Sequence, residues 1–246
     1  MLKHFVAISL LVLLAAPARA QWTGKAELGI LQSSGNTDAA SANTKLDLAH
    51  ETRRWKNGFF VGALYSENAE FATAERYETR YQVDYKVTDR MSWFAALRGE
   101  QDRFSGFAYQ ATASTGASYQ FIDNVDTKLD ASLGAGYKRS RAETLIKSDA
   151  GEVLDRIEGP LENEAVATLT SNFEHALTSN TKITNKLLTE YGSDNTAIQD
   201  DIALQVSMTE TLALAVGFGI RYNSDPPPLS ESTDTLTTVN LVYNIK

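Results

Sequence analysis

The chain has 246 residues, a formal net charge of −8 and no cysteine. The length suits one large all-β barrel or two small domains. The acidic balance argues against nucleic acid, whose phosphates need a basic face, and the lack of thiols excludes disulfide and thiol chemistry. After residue 20 the longest apolar run is Leu212–Phe218, with Gly217 inside it. That is too short for a membrane helix, which needs ~20 apolar residues.

Residues 1–20 read as a cleaved signal peptide. Lys3 and His4 open them, an apolar run follows from Phe5 to Ala16, and Ala18-Arg19-Ala20 gives the small-x-small pattern of a cleavage site. The mature chain then starts at Gln21, with residues 21–246 as one domain. Lys3 and Arg19 fall in the leader, so the rest is more acidic still. If that domain sits in a membrane, only a closed barrel satisfies its backbone there.

The clearest pattern is alternation over residues 76–87. Tyr77, Thr79, Tyr81, Val83, Tyr85 and Val87 take one phase, and Arg76, Glu78, Arg80, Gln82, Asp84 and Lys86 the other. Successive strand side chains point to opposite faces, so one face is apolar and the other heavily charged. The pattern recurs at 108–121, at 126–138 and at 181–191. In 126–138 Leu129, Ala131, Leu133, Ala135 and Tyr137 oppose Lys128, Asp130, Ser132 and Lys138; in 181–191 Ile183, Leu187 and Tyr191 oppose Lys182, Lys186 and Glu190. In 211–222 the apolar phase faces small residues such as Ala213 and Gly217.

Twelve strands are expected, near 22–34, 39–51, 58–68, 76–87, 91–102, 108–121, 126–138, 161–175, 181–192, 196–207, 211–223 and 233–246. A tilted strand crosses a bilayer in ~9–11 residues, so these are long enough to span. The even connections are tight, as at Thr88-Asp89-Arg90, and the odd ones include long loops at 69–75, 139–160 and 224–232. Short periplasmic turns and longer outer loops mark outer-membrane barrels. Tyr65, Tyr77, Tyr109, Tyr137, Tyr191 and Tyr222 fall at the outer strand ends. Trp22, Phe59, Tyr85, Trp93, Phe121, Phe173 and Tyr243 fall at the periplasmic ends. Two aromatic belts flanking an apolar band are what a bilayer interface selects. The fold expected is all-β, a single antiparallel up-and-down transmembrane barrel of about 12 strands. Its expected surroundings are outer-membrane lipid and lipopolysaccharide, with the barrel-assembly machinery as a partner during biogenesis.

Residues 22–38 (WTGKAELGILQSSGNTD) and 221–246 (RYNSDPPPLSESTDTLTTVNLVYNIK) resemble the two ends of the salt-induced outer membrane protein family, a bacterial family of unassigned function. The likeness runs from Trp22 to the last residue. Ser34-Gly35-Asn36-Thr37, and Ser224-Asp225-Pro226-Pro227-Pro228 followed by Thr233-Asp234-Thr235, are its most specific parts. The resemblance implies an outer-membrane barrel with an association with salt or envelope stress. It supplies no catalytic residues.

The candidate site residues are lumen-lining charges on two neighbouring strands: Arg76, Glu78, Arg80, Asp84, Lys86, Arg98, Glu100 and Asp102. Opposite charges in a small lumen pair, either as a salt-bridged plug or as a pore lining that sets selectivity for a small solute or ion. About 12 strands enclose a lumen between the filled and open cases, which favours a narrow or plugged barrel. The candidate outer-loop contacts are Asn36 and Asp38 in a Gly-Asn turn, and Asp225, Pro226, Pro227 and Pro228 in a stiff segment. Residues 139–160 carry mixed charges and read as a solvated loop with a tip at Asp149-Ala150-Gly151-Glu152. An outer-membrane lipase-like enzyme is the competing class. It needs a histidine beside a serine, and the mature chain has only His50 and His175, both near periplasmic strand ends. No catalytic residue, cofactor or metal ligand is therefore assigned.

Overall fold

The computed structural model describes residues 22–33, 39–68, 70–148, 151–228 and 230–246. The signal segment 1–20, Gln21 and the candidate loop residues Asn36 and Asp38 lie outside the described residues. Twelve strands close into one antiparallel barrel in which each strand pairs with its neighbours in sequence and β12 returns to β1. They are β1 (Trp22–Ser33), β2 (Ala39–Glu51), β3 (Trp55–Asn68), β4 (Ala72–Lys86), β5 (Met91–Asp102), β6 (Phe107–Asp123), β7 (Thr127–Lys147), β8 (Val153–Ala176), β9 (Thr181–Gly192), β10 (Thr196–Ser207), β11 (Leu212–Asn223) and β12 (Thr233–Ile245).

Antiparallel register carries the alternation round the ring. Leu46 pairs with Val61, Val61 with Thr79, and Thr79 with Gly99, all on the outer face. Leu133, Val216 and Leu241 stand exposed on that face. A soluble barrel would turn these residues inward and its charges outward. Here Glu78, Asp84, Glu100, Lys138 and Glu190 are buried instead.

At one end the connections are tight, and a side chain pins most of them. The hydroxyls of Thr52, Thr88 and Thr209 accept from the backbone N–H groups of Trp55, Met91 and Leu212 at 3.1, 2.9 and 2.9 Å. The Asn124 side-chain oxygen accepts from Thr127 N–H at 2.6 Å. Such side chains replace a backbone acceptor, which is why Thr and Asn recur there.

The opposite end departs from expectation. The connection 139–160 is mostly ladder rather than solvated loop. β7 and β8 stay paired beyond Arg141↔Leu161, through a bulge, as far as Lys147↔Val153. The tip turns at Gly151, where φ is 90°, and Gly151 N–H donates to the Ser148 carbonyl at 2.9 Å. This hairpin runs beyond the ends of the neighbouring strands, and the alternation that marks the other strands fades there. β4 likewise starts at Ala72, four residues before the expected start. The asymmetry of the two ends thus resides in strand length more than in loop length.

One seam is shorter than the others. β1 pairs with β2 along its whole length, from Trp22↔His50 to Ser33↔Ala39. β12 pairs with β11 from Leu212↔Tyr243 to Tyr222↔Thr233. Between β1 and β12 the ladder runs only from Gly24↔Ile245 to Leu28↔Leu241. The two strands part in the half of the barrel nearer the extended hairpin.

Candidate functional site: the lumen

The eight candidate charges on β4 and β5 all project inward, and they fall into two tiers. In the tier nearer the extended end, Arg98 is the hub. Its guanidinium contacts Glu100, lies 3.5 Å from Glu78 and 3.6 Å from Glu190, and donates to the Gln199 side-chain oxygen at 3.4 Å. Arg221 donates to Glu78 at 3.3 Å, to Glu100 at 3.4 Å and to Gln199 at 3.0 Å. Arg76 pairs with Asp102 at 2.5 Å, and Lys138 lies 3.5 Å from Glu190.

These contacts cross the lumen. β4, which carries Glu78, and β11, which carries Arg221, are five steps apart around the ring, as are β5 with Arg98 and β10 with Gln199. The network therefore spans the interior near its diameter. Lys138 and Glu190 are each 2% exposed. Charges held so far from water persist only when paired. Several of the distances exceed those of a close ion pair, and Lys138 Nζ and Glu190 Oε2 lack a protein hydrogen-bond partner.

A lid lies above this tier. Gly106, at φ 80°, closes the turn before β6. A side chain there would collide with Pro227 and Ser230 from the loop before β12. Pro227 is buried, Ser230 N–H donates to its carbonyl at 3.0 Å, and Asp225 N–H donates to the Asn195 side chain at 3.2 Å. The proline segment is thus fastened to two other connections; Pro226 and Pro228 flank the buried ring. The extended hairpin joins in, with Glu143 N–H donating to the Gly106 carbonyl at 2.7 Å and Arg156 to Glu143 at 2.6 Å. Leu145 is 1% exposed beneath it. A small space of about 30 Å³ lies among Arg76, Arg98, Glu100, Asp102, Glu190 and Arg221.

Below the network lies a cavity of about 690 Å³, lined down to Thr88, Asp89 and Arg90 in a tight turn and so open at that end. Arg80 stacks on Phe60 at 5.2 Å and lies 3.9 Å from Glu78. Asp84 accepts from Gln82 at 3.0 Å, and Lys86 pairs with Glu51 at the rim. Lys186 of β9 reaches Asp47 of β2 at 2.6 Å, a second bridge across the interior. Charges line β1, β2, β4, β5 and β9, whereas on β10–β12 Ala203, Ala215, Gly217, Gly219 and Leu236 stand among the polar Gln199, Asp201, Gln205, Thr238 and Asn240.

Sequence reasoning placed Lys138, Lys186 and Glu190 in the polar phase of their strands but did not single them out, and it passed over Arg221. Glu190 and Arg221 meet β4 and β5 across the ring, Lys186 meets β2, and Lys138 meets Glu190, none of which alternation within one strand encodes. The two histidines stand on separate strands: His50 is 5.1 Å from the Trp22 ring, and His175 shares a 2.8 Å hydrogen bond with Thr127. No group of three or more potential metal ligands occurs among the described residues.

The barrel is similar to the solved NanC porin, with a TM-score of 0.52 and 10% identity, over 91% of this chain and 100% of that one. An outer membrane channel from Pseudomonas putida F1 is similar at a TM-score of 0.49 and 10% identity, over 94% and 97% of the two chains. At such identity the likeness is one of fold, and function has to be argued from the site. In sequence, the uncharacterized protein YdiY of Escherichia coli (strain K12) is 23% identical over 233 residues, 94% of this chain and 86% of YdiY. Residues 26–245 match the family described as protein of unknown function, DUF481, and the chain belongs to that family.

Proposed function

We propose that this protein is an integral outer-membrane barrel whose lumen opens to the periplasm and is shut toward the outside. The observation that carries this reading is the cross-lumen network of Arg98, Arg221, Glu78, Glu100 and Glu190. In an open pore the wall charges face a water-filled channel and set selectivity. Here they join opposite walls, and the lid closes over them. The outward face of Leu, Val and Ile between aromatic belts supports the membrane setting. Outer-membrane lipid and lipopolysaccharide are then its surroundings, and the barrel-assembly machinery is its partner during insertion. A role under salt or envelope stress rests on the sequence resemblance alone; growth of a deletion strain at raised salt tests it.

The reading is tested by cell fractionation together with solute uptake. The protein is expected in outer-membrane fractions, with gel mobility that changes on boiling, because a closed barrel resists cold detergent. Vesicles carrying it should take up small sugars no faster than empty vesicles. Recovery in the cytosol would refute the membrane setting, and rapid sugar uptake would refute the closed lumen.

A further inference from the structure

The parted seam between β1 and β12 exposes residues that the fold otherwise keeps inside. Leu31 shares the inner-face phase of Lys25, Glu27 and Gly29 but is 69% exposed, and its outward neighbour Ile30 is 72% exposed. On the facing strand, Leu236 and Thr238 line the main cavity. Continuing the register would set Leu31 against Thr238, yet no pairing exists there among the described residues. The gap begins just beyond Gly29, where Asn43 donates to Asn240 at 3.1 Å across the inner side of the seam.

A parted edge in hydrocarbon is costly, because its N–H and C=O groups lose their partners; non-paired backbone at that depth is tolerated where it borders a water-filled cavity. Here the gap lies between a β12 wall carrying Leu236 and Thr238 and a β1–β2 wall carrying Lys25, Glu27, Lys45 and Asp47. Leu236 is the apolar side chain on this wall, with the Thr238 hydroxyl over Gly217 and the Asp201 carboxylate over Gly219, and the charged tier blocks the way toward the lid. Inward from the gap, the first cations are Lys25 and Lys45. Lys25 is held by Glu27 at 2.8 Å, and Lys186 by Asp47 at 2.6 Å. Lys45 faces the same cavity and enters no ion pair among the described residues.

We propose that this seam is a lateral port for a single-chain anionic amphiphile. The acyl chain lies along Leu31 and Leu236, and the carboxylate or phosphate head meets Lys45 in the cavity. The port joins the outer leaflet to the periplasm-facing interior without opening the outer mouth. This inference rests on the membrane reading above.

The test is photolabelling of the full mature barrel in vesicles with a diazirine-bearing octadecanoate, mapped by mass spectrometry. Label is expected on the inner-face residues Leu31, Leu236 and Thr238 as well as on outer-face Ile30 and Val239. Lys45→Gln should lower the inner labelling about fivefold, as for loss of one charge-assisted contact, and leave the outer labelling unchanged. A second variant joins Ile30→Cys to Val239→Cys in a chain without native cysteine. Its oxidised form should lose inner labelling and regain it on reduction. Label confined to the outer face, or inner label indifferent to both variants, overturns the port. Vesicle flotation is read in parallel: protein that does not float refutes the membrane reading, whereas protein that floats without inner label refutes only the port.

Discussion

The β4–β5 ladder and the β1–β12 ladder belong to one closed sheet but are built differently. The first runs unbroken from Arg76↔Asp102 to Lys86↔Ser92. The second stops at Leu28↔Leu241. Inside the first stand Glu78, Arg98 and Glu100, which reach across to β9, β10 and β11. Inside the second, beyond Leu28, stand Gly29, Leu31, Asp234, Leu236, Thr238 and Asn240, of which Gly29 and Asn240 are buried. Backbone pairing alone does not distinguish these regions, since every strand offers the same donors and acceptors. The inward side chains do: long charged groups tie the β4–β5 wall to the opposite one, whereas at the seam the Asn43–Asn240 hydrogen bond reaches only from β2 to β12.

The strongest way to break that contrast is to remove the hub. Arg98→Ala leaves Glu78, Glu100 and Glu190 crowded with less positive charge. Breaking a buried ionic group from one side costs ~3–5 kcal/mol, so a fall of that order is expected in urea titration of the barrel refolded in vesicles. Next comes the outer face. Leu133→Arg or Val216→Arg should cost ~2–4 kcal/mol, the penalty for a cation on a lipid face near the midplane. Gln82→Arg, at an inner position lining the cavity, should cost far less in the same titration. A harmless Val216→Arg with a non-folding Gln82→Arg would invert the facing.

A smaller effect is expected at the lid. Gly106→Ala imposes a side chain at φ 80° and presses it on Pro227 and Ser230, for about 1–3 kcal/mol of local strain. Faster proteolysis of the 224–230 connection would report it. The smallest belongs to the extended hairpin, where Arg141 and Glu158 pair at 2.6 Å in partial exposure. Arg141→Ala should change stability by less than about 1 kcal/mol, since exposed pairs gain little over their hydrated state.

The strands were readable because a barrel wall repeats one rule: apolar toward lipid, polar toward the lumen, with period two. Tyr77 to Tyr85 show it without ambiguity, and the strand order followed from short antiparallel connections. The rule weakens where a segment runs past its neighbours, which is why β7 beyond Lys138 and β8 before Leu161 look like loop in the sequence. It is also silent on distance across the ring. Arg221 and Glu190 sit in the polar phase of strands far from β4 in sequence, and only closure brings them to Glu78 and Arg98. The early end of the β1–β12 ladder had no signal at all, because Ile30 and Leu31 read as ordinary strand residues.

The closed lumen is tested most directly by planar-bilayer conductance of the refolded barrel. Wild-type protein should show no steady unitary current, because the Arg98–Glu78–Arg221 network joins opposite walls beneath the lid. A variant with Arg98→Ala and Arg221→Ala, inserted in the same way, should pass more current than wild type. Steady, uniform unitary currents from the wild-type barrel would contradict the account.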